Sequence, residues 1–242
     1  MTKLVRAEIY KFCNSISLWL ILFVLTTFAS ISIFTGVYSS AENVLFNMSR
    51  DIMVPILACA VYGGLTLCND FSDGTIMHYI VSGFKRSRVI LIKYVCYLLS
   101  CIILITAYYW IVNSLGFFML GTEFGLAKFV DDLCKYLRNS LMFYLCIASN
   151  FFLISVILRR GSLAVSLSVT FAIMDVVFTN KAYYNDTLNK SILLDLSPVI
   201  RLEFISEIYN KMSVMKKGIL FSVVWLVIVY ILSCFIVEKV EL

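Results

Sequence analysis

The sequence predicts an all-α membrane protein, from its composition, from six long apolar stretches and from the position of its basic residues. Of its 242 residues, 61% are hydrophobic and 14% are charged, and the mean hydropathy is +0.93. A soluble domain carries roughly 25% charged residues, so this chain lacks the polar surface of a water-soluble globule. No linker rich in proline, glycine or serine divides it. We therefore predict a single transmembrane domain over residues 1–242.

Six stretches without formal charge predict six spans, although Asp175 interrupts the fifth. A spanning helix needs about 20 mainly apolar residues, because lipid offers the backbone no hydrogen-bond partner. The stretches cover residues 12–41, 52–69, 94–122, 139–158, 161–180 and 218–237. The first is far longer than the core of a signal peptide, which has about 7–15 residues. We therefore expect an uncleaved first span.

The orientation follows from the basic residues in short loops, because Lys and Arg are retained on the cytoplasmic side. With the N-terminus inside, three basic groups are cytoplasmic: Lys3, Arg6 and Lys11; Lys85, Arg86, Arg88 and Lys93; Arg159 and Arg160. The loop at residues 181–217 also carries basic residues, which oppose this orientation. That loop is long and contains acids as well, so its charge counts for less. Both termini are expected in the cytoplasm.

Residues 1–15 are predicted to form an amphipathic helix along the membrane surface. Apolar residues recur at helical spacing, with the basic residues largely elsewhere on the circumference: Val5, Ile9, Phe12 and Cys13. An ordinary basic flank to the first span is the alternative, and the sequence leaves it open.

A second short helix is predicted between spans two and three. Ser72 or Asp73 is expected to cap its start, and Gly83 to end it in the left-handed conformation. Between them lies an apolar stripe at helical spacing, formed by Ile76, Met77, Ile80 and Val81. A half-apolar helix in a loop needs a surface that covers its stripe, either the membrane or a partner protein.

The order of these features resembles the permease subunits of type-2 ATP-binding-cassette exporters. The similarity extends over essentially the whole chain: a surface helix, two spans, an acidic residue, Gly-Thr, a basic run, and Leu-Ser-Pro before the last span. The matching residues are Asp70, Gly74, Thr75, Ser82, Gly83, Arg86 or Arg88, Lys93 and Leu196-Ser197-Pro198. The family more often has Glu where this chain has Asp70.

The resemblance implies a cytoplasmic coupling loop at residues 70–93, whose helix docks on a separate P-loop ATPase subunit. The implied contact residues are Asp73, Gly74, Thr75, Ile76, Met77, Ile80 and Val81. It also implies an N-terminal elbow helix, a second permease (identical or paralogous) and a bacterial cytoplasmic membrane. The implied substrate is amphiphilic, such as an antimicrobial peptide in self-immunity, or lipid-like.

No motif for ATP chemistry or metal binding stands out in this chain. The nearest match to a P-loop, at residues 116–122, lacks the lysine that holds phosphate, so ATP and Mg²⁺ are expected on the partner ATPase. The eight cysteines form no C-x-x-C, and the lone His78 excludes an H-E-x-x-H zinc site. No basic stripe interleaved with aromatics suggests nucleic acid. We expect neither a cofactor nor an enzymatic activity on this chain.

Candidate residues for a substrate pathway are the polar groups inside the predicted spans. Asp175 is the only formal charge there, and Asn113 and Asn150 are weaker candidates; packing or interfacial roles are the alternatives. Residues 191–212 are predicted to form one or two short helices at the outer interface, which either gate an exit or merely cover the spans.

Two other functions stay open. The first is a secondary transporter or channel that works without ATP. It predicts several inward-facing ionisable residues and paired broken helices, whereas the chain has one intramembrane acid and no such repeat. The second is a membrane enzyme or a non-transporting assembly factor.

Overall fold

The computed structural model describes residues 2–35, 44, 51–120, 126–183, 197–203 and 212–239, and every regular element in these ranges is an α-helix. In chain order the helices are α1 Thr2–Cys13, α2 Ile16–Phe34, α3 Met53–Ser72, α4 Thr75–Val81, α5 Arg86–Leu120, α6 Leu126–Leu158, α7 Gly161–Tyr183, α8 Pro198–Glu203 and α9 Met212–Lys239. The last part of the first predicted span, and residues 184–196 and 204–211 of the loop before the sixth, lie outside the described residues.

Six of the described helices are long and apolar enough to cross a bilayer, as the sequence predicts for a multi-pass membrane protein. These segments are Ile16–Phe34, Met53–Ser72, Arg86–Leu120, Lys128–Leu158, Gly161–Phe178 and Lys217–Lys239. The predicted all-helical fold is therefore confirmed for the described residues, together with six helices that could span a membrane.

Three of the helices are clearly longer than the predicted spans, and one of them is α9, with 28 residues. α5 has 35 residues and α6 has 33, so α5 is about 52 Å long, well beyond the roughly 30 Å hydrocarbon core. The predicted span ends where the first charge appears, but helical backbone continues through charged turns. The charged segment around Cys134 is likewise helical, and Cys134 lies on an exposed face of α6.

The spans form an inner and an outer set. In α3, α5 and α6, between 56% and 61% of the apolar segment is buried, against 17% to 22% in α2, α7 and α9. α3 and α7 approach each other closely at a glycine. A Cβ atom placed on Gly64 would lie 2.5 Å from Val165 Cγ2 and 2.8 Å from Val165 N, so this contact requires glycine.

Hydrogen bonds from aromatic side chains tie α5 and α9 to the other spans. The Tyr97 hydroxyl lies 3.1 Å from the Cys59 carbonyl of α3 and 3.2 Å from the Ala148 carbonyl of α6. On the next turn of α5, Tyr94 donates to the Leu226 carbonyl of α9, at 3.1 Å. In an apolar surrounding these bonds satisfy hydroxyls that are costly to bury unpaired.

One end of the bundle, which we call the basic end, collects α1, the end of α3, α4, the start of α5, the α6–α7 turn and the end of α9. Arg86 of α5 donates to the Val237 carbonyl of α9, at 3.4 Å. In the α6–α7 turn Arg159 has a φ of 54°, and its guanidinium lies 5.3 Å from the ring of Phe71 in α3. Exposed basic residues share this end: Arg6, Lys85, Arg88, Arg160 and Lys239.

Candidate functional site

Four charged side chains meet at the basic end, where α1, α3 and α5 come together. Lys93 Nζ lies 3.0 Å from Glu8 Oε1 and 2.5 Å from Asp70 Oδ2. Lys11 pairs with the other carboxylate oxygen of Asp70, Oδ1. We call Glu8, Lys11, Asp70 and Lys93 the charge network. It joins three helices that are distant in sequence.

Three members of the charge network are buried. Glu8 is 7% exposed, Asp70 5% and Lys93 3%, whereas the Lys11 side chain is about half exposed, at 49%. Charges are rarely buried unless they are paired, and removing one partner of a buried pair costs about 3–5 kcal/mol because the other charge is left uncompensated. The charge network therefore holds α1 in a fixed position against α3 and α5.

Local sequence explains how the charges meet. Glu8 and Lys11 are three residues apart in α1, so both lie on one face of that helix. Asp70 lies in the last turn of α3, and Lys93 lies two turns into α5. The short connection through α4 brings these two ends side by side, and the network closes between them.

The α4 helix contacts the charge network through Tyr79. Lys93 Nζ lies 5.8 Å from the centre of the Tyr79 ring, within the range of a cation–π contact. Burial, and secondly the Glu8 carboxylate, raise the pKa of Tyr79. On the same side of α4, Ile76 packs with Val89 and Ile92 of α5. α4 is thus attached to α5 by an apolar contact and a polar one.

Glycines set the ends of α4. Gly83 has a φ of 89°, and the amides of Gly83 and Phe84 donate to the carbonyls of Ile80 and Tyr79, which is the Schellman pattern. The expected left-handed end at Gly83 is therefore present. At the start, the expected cap by Ser72 or Asp73 is wrong. The N-cap is Gly74, with a φ of 66° and no side-chain hydrogen bond, because Asp73 instead caps the end of α3.

The predicted apolar stripe of α4 is divided between two faces. Ile76 is 2% exposed and lies inside the chain's own core, and Ile80 is partly buried beside it. Met77 is 42% exposed and Val81 is 80% exposed. Of the implied contact residues, Asp73 is also exposed, and Gly74 and Thr75 are half-buried. An accessible apolar surface on α4 is therefore limited to Met77 and Val81.

A cavity of about 470 Å³ lies beside the charge network, beneath the junction of α1 and α2. It extends along α3 and α5, and its lining includes all four members of the network together with Asp73, Tyr62 and Tyr97. Burial, and secondly the Lys93 ammonium, lower the pKa of Lys11 in this setting; the Glu8 and Asp73 carboxylates oppose that shift. The cavity is thus charged near the basic end and largely uncharged further in.

The three predicted pathway residues lie on three different helices. Asn113 of α5 is fully buried, and its Nδ2 donates to the Tyr109 carbonyl at 2.7 Å. Asn150 of α6 accepts a hydrogen bond from Trp225 Nε1 of α9 at 2.9 Å. Asp175 is half-buried on α7. For Asn150 this contact is an interhelical hydrogen bond, which is the ordinary role of a polar residue in a span.

Of the short helices predicted at residues 191–212, the structure describes α8, in which Val199 and Leu202 are fully buried. The rest of the predicted segment 191–212, apart from Ser197 and Met212, lies outside the described residues. In the part of the chain that the structure covers, no three His, Cys, Asp or Glu residues are grouped to hold a metal ion.

The chain matches no protein-family model and no curated protein sequence.

Sequence reasoning identified two members of the charge network and missed their partners. Asp70 and Lys93 belong to the motif of the family resemblance, whereas the sequence analysis does not single out Glu8 and includes Lys11 only among the basic residues of the N-terminal helix. The one indication of these partners in the sequence is that Glu8 is the single acid in α1 and lies three residues before Lys11. Residues Ile9 and Cys13, predicted on the apolar face of α1, are exposed, and the buried face carries Glu8.

Proposed function

We propose that this chain is the membrane-spanning permease subunit of a type-2 ATP-binding-cassette exporter. ATP is hydrolysed by a separate P-loop subunit in the cytoplasm, and a second permease, identical or paralogous, completes the translocation path. The substrate is amphiphilic, such as an antimicrobial peptide, and the protein resides in a bacterial cytoplasmic membrane. Residues 1–15 act as the elbow helix and α4 as the coupling helix.

The observation that carries this proposal is the two-sided character of α4. Its outer face presents Met77 and Val81, while its inner face is attached to α5 through Ile76 and Tyr79. A helix with an exposed apolar face can bind a groove on a partner protein. An inner face that is fixed to the spans allows a displacement of that partner to reach them.

The charge network extends this connection beyond α5. Tyr79 lies over Lys93, and Lys93 is bonded to both Asp70 and Glu8. A displacement of α4 would therefore move the end of α3, the start of α5 and α1 together. Closely packed elements transmit displacement well because protein interiors are dense and not easily compressed.

The basic end supplies the second support. Basic residues in short loops are retained on the cytoplasmic side of a membrane. The exposed arginines and lysines of the basic end therefore favour a cytoplasmic location for this end of the bundle. In that orientation the exposed face of α4 points to the compartment in which ATP is available. The Asp70, Gly74 and Lys93 motif of the resemblance lies within this end of the bundle.

The proposal is tested by purifying the protein from its native membranes in mild detergent and identifying co-purifying proteins by mass spectrometry. A P-loop ATPase in near-equal amount is expected. The double variant Met77→Asp and Val81→Asp should reduce the recovered ATPase at least about tenfold, because buried apolar anchors dominate most interfaces. Ile76→Asp is avoided because that residue is in the core of the chain itself.

The matched control is Met77→Leu with Val81→Ile, which keeps the apolar surface and should retain the ATPase. Both proteins must elute as single species in gel filtration. Unchanged recovery of the ATPase by the aspartate variant would contradict the role of α4. Repeated absence of any ATPase from a folded, monodisperse preparation would favour the ATP-independent transporter.

A further inference from the structure

The cavity beside the charge network is elongated, and its polarity changes along its length. Asp73 lies at its mouth, at the end of α3, and Tyr62 lies eleven residues earlier on the same helix. At about 1.5 Å per residue, the two ends are roughly 16 Å apart. The inner part is uncharged: it is lined by Leu67, by the small polar residues Thr66 and Ser100, and by the stacked rings of Tyr62 and Tyr97, whose centres are 6.4 Å apart. Such a cavity suits an amphiphile with a polar head and an apolar tail.

The balance of charge in the lining restricts the kind of head that fits. Three acids line the cavity, Glu8, Asp70 and Asp73, against two bases, Lys11 and Lys93. A purely anionic head is therefore disfavoured. Glu8, Asp70 and Lys93 are buried and bonded to one another. The groups nearest the mouth that remain accessible are one base, Lys11, and one acid, Asp73.

Lys11 and Asp73 together offer a donor and an acceptor. The Lys11 ammonium has three N–H groups and donates one to Asp70, and its side chain is 49% exposed. The Asp73 carboxylate is exposed beside it. A phosphate can accept from Lys11 while an ammonium donates to Asp73, and both bonds are of the strong, charge-assisted kind. This pairing matches a zwitterion, because a simple cation would use only Asp73, whereas Lys11 keeps two N–H groups beyond its bond to Asp70.

We propose that this cavity binds a zwitterionic phospholipid of the phosphoethanolamine class, with the head between Lys11 and Asp73 and an acyl chain along the inner lining. A primary ammonium is preferred to a trimethylammonium, which has no N–H to donate to the Asp73 carboxylate. The site is independent of the proposed export function, since it depends only on the lining residues. The bound lipid would fill the space beneath the α1–α2 junction and stabilise the packing there.

The test is native mass spectrometry of the purified protein titrated separately with phosphatidylethanolamine, phosphatidylcholine and phosphatidylglycerol of identical acyl chains. One phosphatidylethanolamine is expected to be retained about tenfold more strongly than either of the others, the effect of one charge-assisted hydrogen bond. Asp73→Asn should remove that preference, because it removes the acceptor for the ammonium, whereas Lys11→Gln should weaken the retention of all three lipids, because each carries the phosphate. Equal retention of all three lipids would overturn the proposal.

The matched controls are Lys135→Gln and Asp131→Asn, which neutralise an exposed lysine and an exposed acid on α6, away from the cavity. They should keep the wild-type lipid preference, and melting temperatures near that of the wild type verify that all four variants are folded. Loss of the preference in the control variants, its retention in Asp73→Asn, or unchanged retention of all three lipids by Lys11→Gln would contradict the assignment.

A competition experiment distinguishes binding of the whole lipid from binding of its headgroup alone. Soluble phosphoethanolamine should displace the bound lipid only at concentrations at least about a hundredfold higher than lysophosphatidylethanolamine, because burial of the acyl chain adds to the affinity. Equal potency of the two competitors would show that the acyl chain is not bound and would overturn the lipid assignment.

Discussion

Two lysine–carboxylate clusters in this molecule have similar chemistry and different surroundings. At the basic end, Lys93 pairs with Glu8 and Asp70, and all three side chains are between 2% and 8% exposed. On α6, Lys135 pairs with Asp131 and Asp132, and those side chains are between 41% and 61% exposed. The first cluster joins three helices, while the second lies within one. Burial and sequence separation, rather than the ion pair itself, determine whether such a cluster fixes tertiary structure.

The most direct test of this difference is to replace the lysine in each cluster. Lys93→Met should lower the free energy of unfolding by about 3–5 kcal/mol, because it leaves the buried Glu8 carboxylate without a cation and Asp70 with the half-exposed Lys11 alone. Lys135→Met should change it by less than about 1 kcal/mol, since exposed pairs contribute little. Reversible unfolding in mixed micelles, followed by tryptophan fluorescence, measures both variants. Similar values for the two would contradict the difference that burial implies.

The triple variant Glu8→Gln, Asp70→Asn and Lys93→Met is the companion to that experiment. It removes the uncompensated carboxylates together with the lysine, so it should be more stable than Lys93→Met alone by about 1–3 kcal/mol. If the triple variant were less stable than the single one, the destabilisation by Lys93→Met would have to come from lost packing rather than unpaired charge.

The contact between Gly64 of α3 and Val165 of α7 holds two helices together without any charge, so it serves as an apolar reference for the buried charge network. Gly64→Ala should destabilise the protein by about 1–3 kcal/mol, since the new methyl group meets the backbone of Val165, which cannot rotate away. Gly161→Ala is the matched control at the same interface. There a Cβ atom has 3.8 Å to Cys68 Cβ, an ordinary contact. Thermal unfolding of both variants under one condition measures the difference, and equal melting temperatures would contradict the close approach.

The smallest expected effect concerns the link between α4 and the charge network. Tyr79→Leu should cost about 1 kcal/mol, the contribution of a partly exposed cation–π contact. Tyr10→Leu, at a residue that is 73% exposed on α1, should have almost no effect. Hydrogen exchange of the α4 amides gives a local measurement. Faster exchange in α4 alone is expected for Tyr79→Leu, and unchanged exchange would show that the ring does not hold the helix.

The sequence determines the number of spans because the bilayer imposes a minimum length of apolar residues. The ends of α5 and α6 do not follow from that rule, since a helix continues through charged turns such as Asp131 to Lys135. Periodicity identified the apolar stripe of α4 but not its division between Ile76 inside and Met77 outside. That division depends on where α5 lies, which is tertiary information.

The same limit explains the partial prediction of the charge network. Asp70 and Lys93 are near in sequence to the predicted loop helix and belong to the motif of the family resemblance. Glu8 acquires its role only when α1 folds back against α3 and α5. A single acid in a basic helix does not show which of its faces will be buried.

The spacing of the charge network along the chain has a consequence for biosynthesis. Lys11 is made 59 residues before Asp70, and Glu8 is made 85 residues before Lys93. At about 5–20 residues per second, the interval is on the order of ten seconds. During it α1 lies at the membrane surface with its charges hydrated, and Asp70 gains its buried cation only when α5 is inserted. The charge network can therefore form only after α2, α3 and α5 have been inserted in order.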